Sequence, residues 1–146
     1  MIARLKGKPV ELKPTELILD IHGVGYHLHI PVSTYEKIKN REEVELYVHT
    51  YLREESLKLF GFASLEEKQM FLVLLGISGI GPAIALTILS GLSIPGIIAA
   101  VREQNPARLL KIPGIGKSKA EKILFELRRK MKKIESLAEG EDEAAG

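Results

Sequence analysis

Two glycine-rich segments of the chain have the composition of phosphate-binding turns. The first contains Gly79-Ile80-Gly81-Pro82 and the second Gly114-Ile115-Gly116-Lys117, at an offset of 35 residues from Gly79 to Gly114. Each segment predicts a helix, a tight turn and a second helix whose first N–H groups have no partner within the helix. Those amides and the positive end of the helix dipole favour a bound phosphate. The repeat therefore predicts two anion sites built from backbone.

Basic side chains surround the second segment but not the first. Residues 108–133 hold ten bases against Glu121 and Glu126, whereas Ala83 follows the first turn. Helix-hairpin-helix motifs of this form contact DNA phosphates without reading bases. One copy alone would also fit an ordinary corner between two helices, but two copies favour nucleic-acid binding. We expect the second copy to contribute more of the affinity. The candidate DNA contacts are Gly79, Ile80, Gly81, Pro82, Gly114, Ile115, Gly116, Lys117, Ser118, Lys119 and Lys122.

The elements that position these turns follow from a change of periodicity. Residues 1–62 alternate with the period of strands, and a short helix with the capping-box pattern Ser33-Thr-Tyr-Glu36 separates the third strand from the fourth. This order predicts a five-stranded OB barrel. Residues 63–133 have helical periodicity and carry both turns, and the acidic residues 134–146 predict a mobile linker. The predicted fold class is α+β, an OB barrel followed by an all-α domain with tandem helix-hairpin-helix motifs.

Three other features of the sequence have competing interpretations. Tyr47, His49 and Tyr51 share a strand face that either stacks bases or, as we favour, covers the barrel or a subunit contact. His27 and His29 also share a face, but two imidazoles without a third ligand do not predict a metal site. The helix beginning at Pro82 is apolar on nearly every side, which predicts a homo-oligomer.

Composition narrows the classes of protein to which the chain can belong. The absence of cysteine excludes disulfides and thiolate zinc sites and fits a reducing compartment. No secretion signal opens the chain. The uncharged run from Gln69 to Val101 is long enough to span a bilayer, but glycines and prolines divide it, so we expect it to be buried in protein and expect no membrane partner.

Several short motifs are spread along both predicted domains. They are Met1-Ile-Ala-Arg-Leu-Lys-Gly7, Gly23-Val-Gly-Tyr26, Leu52-Arg-Glu-Glu55 with Leu59-Phe-Gly-Phe62, and Leu110-Lys-Ile-Pro-Gly-Ile-Gly-Lys117 with Ala120-Glu121. Together they resemble the motifs of the RuvA family, bacterial subunits that recognise Holliday junctions. The resemblance covers residues 1–133.

The resemblance implies a junction binder without catalysis or cofactor. It places the family's acidic pin at Glu54 and Glu55, beside Arg53. It also implies a homotetramer around an open four-way junction, with a second tetramer on the same junction and the RuvC resolvase as further partners. The RuvB motor docks on a third domain of the family that the chain, ending at Gly146, does not include. The implied location is the bacterial cytoplasm, at the nucleoid.

Two other functions compete with junction binding. A helix-hairpin-helix nuclease would need clustered carboxylates, but the only aspartates are Asp20 and Asp142. A glycosylase would need a catalytic Lys and Asp pair, which follows neither turn. A general single-strand binder would prefer single strands to junctions in direct competition.

Overall fold

The structure, a computed structural model, describes the backbone of residues 1–145 and the side chains of residues 1–140. Two units divide between Lys68 and Gln69, whereas the sequence predicts a boundary after Phe62. Of the predicted mobile linker, Gly146 and the side chains of residues 141–145 lie outside the described part.

The first unit contains a closed five-stranded barrel, which confirms the predicted OB barrel. Its strand order is β1-β2-β3-β5-β4, and every neighbouring pair is antiparallel except β3 and β5. The parallel pair is short, with Leu28 opposite Leu59 and His29 opposite Phe60. The strands are β1 (Arg4–Lys13), β2 (Glu16–Ile21), β3 (Val24–His29), β4 (Val44–Arg53) and β5 (Ser56–Phe62).

Alternate strand residues fill the barrel, as the period of two predicts. Leu17 and Leu19 of β2, Leu28 of β3, and Leu46 and Val48 of β4 are buried in one core. Helix α1 (Val32–Ile38) lies between β3 and β4 in the chain. It adds Ile38 to the same core.

A buried carboxylate joins α1 to the start of the next helix, α2 (Leu65–Leu75). The predicted capping box at Ser33 does not form, because α1 begins after Pro31 without a side-chain cap. The Ser33 hydroxyl instead donates to Oε2 of Glu67 at 2.9 Å, and the Thr34 hydroxyl donates to Oε1. The Glu67 amide in turn donates to Oγ of Ser64 at 3.1 Å. Glu67 therefore links the first turns of α1 and α2.

The second unit is helical. One helix begins at Pro82, as the sequence predicts. At the start of a short helix, Oδ1 of Asn105 accepts a hydrogen bond from the Ala107 amide at 3.0 Å. The helices that follow α2 are α3 (Pro82–Gly91), α4 (Ile94–Glu103), α5 (Ala107–Leu110), α6 (Lys117–Arg129) and α7 (Met131–Ala145).

The C-terminal segment differs from its prediction. One helix ending near Lys133 and a mobile linker are expected, but α6 ends at Arg129 and α7 covers Met131–Ala145. Ile134 of α7 is fully buried, and Arg102 of α4 lies 3.4 Å from the Glu135 carboxylate. The acidic composition of residues 134–146 favours a solvated segment and does not reveal these contacts.

Helix α3 exposes less apolar surface than its sequence predicts. Ala85, Ile88 and Leu89 are buried, and Ile84 and Leu86 are partly buried. The argument for an oligomer from this helix is weakened accordingly. Among the described residues no single helix has the length and hydropathy of a membrane span, and only α3 with α4 meets that test as a pair, bent by 92°.

Candidate nucleic-acid interface

The two glycine turns have matching backbone conformations. Gly79 and Gly114 have φ of +88° and +87°. Gly81 and Gly116 both have φ of −91°, with ψ of 177° and −179°. The sequence repeat is therefore a repeat of conformation.

Hydrogen bonds close both turns in the same way. The Ile80 amide donates to Ile77 O at 3.0 Å, and the Ile115 amide donates to Ile112 O at 3.2 Å. All four of these isoleucines are buried. Ile80 and Ile115, which the sequence predicts to be DNA contacts, therefore anchor the turns with their side chains and offer a ligand only their backbone.

The glycines of each turn have two different roles. Gly79 and Gly114 occupy the left-handed region, which side-chain-bearing residues rarely adopt. Gly81 and Gly116 have a φ that any residue accepts, and a Cβ added at either would meet nothing within 4 Å. Neither conformation nor internal packing therefore requires glycine at these two positions. A bare backbone there favours close approach by a molecule from outside.

Backbone amides at the start of α3 and α6 complete the anion sites. Gly81 and Gly116 are the N-caps and supply no side-chain cap. The first intrahelical bonds come from Ala85 to Gly81 O and from Ala120 to Gly116 O, at 3.0 and 2.9 Å. The preceding amides are therefore not used within the helix. Pro82 lacks an N–H, so the first turn offers one amide fewer than the second.

Positive charge is concentrated at the second turn. Lys117 and Lys122 are exposed and Lys119 is partly exposed. Among the side chains that the structure describes, no carboxylate forms an ion pair with any of these three lysines. Ser118 is exposed beside them, whereas the equivalent positions after Pro82 carry no charge. The second site combines amides with free ammonium groups, and the first relies on amides alone.

In the barrel unit, the predicted acidic pin forms the tip of the β4–β5 hairpin. Arg53 pairs with Ser56, so Glu54 and Glu55 make a two-residue turn, and both are exposed. The Arg53 guanidinium lies over the Tyr51 ring at 3.9 Å from its centroid and donates to Leu52 O at 2.9 Å. Arg53 therefore turns back along the hairpin and leaves the two carboxylates at the tip.

An exposed leucine pair behind the tip is not predicted from the sequence. Leu52 and Leu57 face each other across β4 and β5, and their exposed fractions are 67% and 63%. Alternation along β4 predicts that Leu52 points into the barrel like Val48. At this end β4 and β5 instead extend past the core. Side chains on the core-facing side of the alternation are therefore in solvent here.

The aromatic face of β4 is already covered in part. Arg53 lies over the ring of Tyr51, and Phe60 contacts its edge with centroids 6.0 Å apart. His49 lies 6.5 Å from Tyr51 in an edge-on arrangement. Bases stack on open ring faces, so these contacts favour the interpretation that the aromatics cover the barrel.

Comparison with known proteins assigns the two units to families. Residues 1–61 match the model of the RuvA N terminal domain, and residues 71–129 match that of the SAM-like helix-hairpin-helix tandem. A "Holliday junction branch migration complex subunit RuvA" from Syntrophotalea carbinolica is 44% identical over 137 residues, which is 94% of this chain and 70% of that protein. The chain belongs to the RuvA family. The RuvA N-terminal match contains the acidic turn, and the tandem match contains both glycine turns.

Other RuvA proteins are similar over the same span. The RuvA subunit of Geobacter sulfurreducens is 43% identical over 136 residues, covering 92% of this chain and 68% of its own length. That of an Azoarcus species is 46% identical over 134 residues, covering 91% and 67%. Each carries the name of a subunit of the Holliday junction branch migration complex.

Proposed function

We propose that this chain is the non-catalytic, DNA-binding subunit of a Holliday junction branch migration complex. It recognises four-way junctions independently of sequence and holds them open for branch migration in recombination and repair. The names of its RuvA relatives support this role. Backbone phosphate contacts carry no base information, which suits a protein that must follow a junction along any sequence.

The observation that carries the proposal is the pair of matched glycine turns. Both present unused helix amides beside an open, side-chain-free position. Each turn is suited to one backbone phosphate, and two related turns suit the two strands of a duplex arm across its minor groove. Gly79, Gly81, Pro82, Gly114, Gly116, Lys117, Ser118, Lys119 and Lys122 are the proposed contacts, with Ile80 and Ile115 contributing backbone only.

The acidic turn is proposed to act by repulsion. Glu54 and Glu55 are exposed at a hairpin tip with their carboxylates unneutralised by Arg53, which lies over Tyr51. Two negative charges close to phosphates raise the free energy of a duplex that docks there. At a crossover, where strands part, the same charges help keep the strands separate. The turn would therefore select junctions over plain duplex.

The motor partner and the oligomeric state are proposed from the family relationship. The chain has no G-x-x-x-x-G-K-[ST] loop, so energy for branch migration comes from a partner ATPase, RuvB. A homotetramer gives four equivalent sets of turns for four arms, and a second tetramer can cover the opposite face. RuvC would act on the same junction. The proposed location is the bacterial cytoplasm at the nucleoid.

A competition experiment tests the function. The chain is bound to a labelled four-way junction and challenged with unlabelled junction, matched duplex or single strand. We expect junction to compete best. Lys117→Glu should weaken binding strongly, whereas the same charge change at Lys8→Glu in the barrel should have a smaller effect. Stronger competition by single strands would favour a general single-strand binder, and cleavage of the DNA would favour a repair enzyme.

A further inference from the structure

Three side chains with metal-binding atoms share one outer face of the barrel. In the β2–β3 ladder, Glu16 lies opposite His29 and Ile18 lies opposite His27. His27 and His29 are two residues apart and so point to the same face. Glu16 is the direct cross-strand neighbour of one imidazole and the diagonal neighbour of the other. Strand pairing thus supplies the third ligand that the sequence alone does not reveal.

The ligand atoms of these residues are already close together. One nitrogen or oxygen from each of the three lies within 4.8 Å of the others, and Nε2 of His27 lies 3.9 Å from Oε1 of Glu16. Zinc bonds of roughly 2.0–2.2 Å place tetrahedral ligand atoms about 3.4 Å apart. Side-chain rotations that move each atom by about 1 Å would close the site, with the strand backbone unchanged.

We propose that Glu16, His27 and His29 bind a late first-row divalent cation, with Zn²⁺ as the reference ion. Two imidazoles and one carboxylate match the donor set of three-ligand zinc sites. Imidazole also suits Cu²⁺ and Ni²⁺, whereas Mg²⁺ and Ca²⁺ prefer oxygen ligands throughout. The His27 side chain is 54% exposed, so solvent completes the coordination and the ion enters directly from water.

The bound cation stabilises the barrel beside its shortest ladder. His29 is also one of the two β3 positions that pair with β5 in the short parallel ladder. A metal held by β2 and β3 fixes the end of β3 beside that ladder. Because the ion binds the folded barrel and the unfolded chain does not preform the site, the thermal midpoint rises with zinc concentration.

A lysine competes with the metal for the carboxylate. Nζ of Lys13 lies 3.9 Å from Oε1 of Glu16, the oxygen that faces His27. The charge of Lys58 also acts on His29. Both ammonium groups oppose a divalent cation at this face, so removing the charge of Lys13 strengthens metal binding.

Metal titration of the untagged, chelator-treated chain tests the site. The chain has four histidines and no cysteine, so few other ligands complicate the result. Zn²⁺ binding is measured by calorimetry, and Co²⁺ binding by visible d–d absorption, which reports coordination geometry. We expect one saturable site. Glu16→Gln, His27→Gln and His29→Gln should each weaken it by at least roughly tenfold, because even loss of outer-shell partners costs about 10- to 100-fold.

Two variants serve as controls with different expectations. His22→Asn removes an imidazole from an exposed turn with φ of 51°, which asparagine tolerates, and should leave metal binding unchanged. Lys13→Gln should tighten it. Absence of saturable binding by the wild type, or equal binding by wild type and the three ligand variants, would overturn the proposal. Loss with the histidine variants but not with Glu16→Gln would overturn the three-ligand assignment.

Discussion

Gly79 and Gly114 share one left-handed backbone conformation, with φ of +88° and +87°, although the charges around them differ. The two turns are therefore equivalent in shape and unequal in electrostatics. Conformation and charge can consequently be tested separately within one protein.

Gly114→Val and Gly116→Val should have different effects. Valine at Gly114 must adopt a positive φ, which costs about 1–2 kcal/mol or more of folding free energy. Valine at Gly116 adopts its φ of −91° without strain, and its Cβ meets no atom within 4 Å. It should lower stability by only about 1 kcal/mol while its side chain blocks the phosphate. Thermal unfolding measures the stability of each variant, and junction-binding assays measure its affinity. Unchanged junction binding by Gly116→Val would exclude this turn from the interface.

Adding a cation to the first turn should increase affinity. Ala83 occupies the position after Pro82 and is exposed, so Ala83→Lys places an ammonium group beside the first set of amides. The slope of log K against log salt concentration should steepen by about 0.9, the value for one additional phosphate contact on duplex DNA. Ala83→Gln is the uncharged control. Equal slopes for the two variants would place this turn away from phosphate.

Neutralising the acidic turn should reduce discrimination between junction and duplex. The double variant Glu54→Gln with Glu55→Gln removes two exposed negative charges from the hairpin tip, so binding to plain duplex should strengthen more than binding to the junction. Glu11→Gln with Glu42→Gln makes the same change in net charge at other exposed positions. Competition assays compare both pairs. If the control pair has the same effect, net charge rather than the turn is responsible.

Glu67 should be important for the stability of the barrel unit. Glu67→Ala leaves the hydroxyls of Ser33 and Thr34 without their carboxylate acceptor. A buried polar group that loses its partner costs about 1–3 kcal/mol, and we expect about 2–3 kcal/mol here. Glu66→Ala removes a carboxylate from the same helix turn, where the dipole effect is worth no more than about 1 kcal/mol. Denaturant unfolding of both variants gives the comparison.

Acidification should weaken the barrel through His49. Burial, with smaller contributions from the charges of Lys68 and Arg53, lowers the pKa of His49 below its ordinary value of 6.5. The unfolded chain therefore takes up a proton before the folded one as pH falls, and stability declines below about pH 6.5. With chelator present, the thermal midpoint of the wild type should fall further than that of His49→Gln between about pH 8 and 5.5. His22→Asn, in an exposed turn, should behave like the wild type.

The features that local pattern controls could be predicted from the sequence. Alternation along Leu17 and Leu19, or along Leu46 and Val48, identifies core-facing strand residues because neighbouring side chains in a strand point to opposite faces. The repeat of Gly-Ile-Gly predicts both turns because the backbone conformation at Gly79 and Gly114 strongly favours glycine. Pro82 and Lys117 likewise mark helix starts correctly.

The features that long-range pairing controls could not be predicted. Glu16 becomes a neighbour of His29 only through strand register, and Glu67 meets Thr34 across 33 positions of chain. The exposure of Leu52 and Leu57 depends on how far the β4–β5 hairpin extends beyond the core, which alternation does not encode. Ile134 precedes a segment rich in Glu, Ala and Gly, so composition conceals the packing of α7.

The short β3–β5 ladder also affects the order in which the barrel assembles. Its residues, Leu28 with Leu59 and His29 with Phe60, are far apart in the chain, whereas β2–β3 and β4–β5 are joined by turns of two residues. Bringing distant segments together costs more chain entropy than closing a hairpin. The β2–β3 and β4–β5 hairpins can therefore form early. The barrel becomes a closed cylinder only when this seam and the other long-range pairing, that of β1 with β4, have both formed.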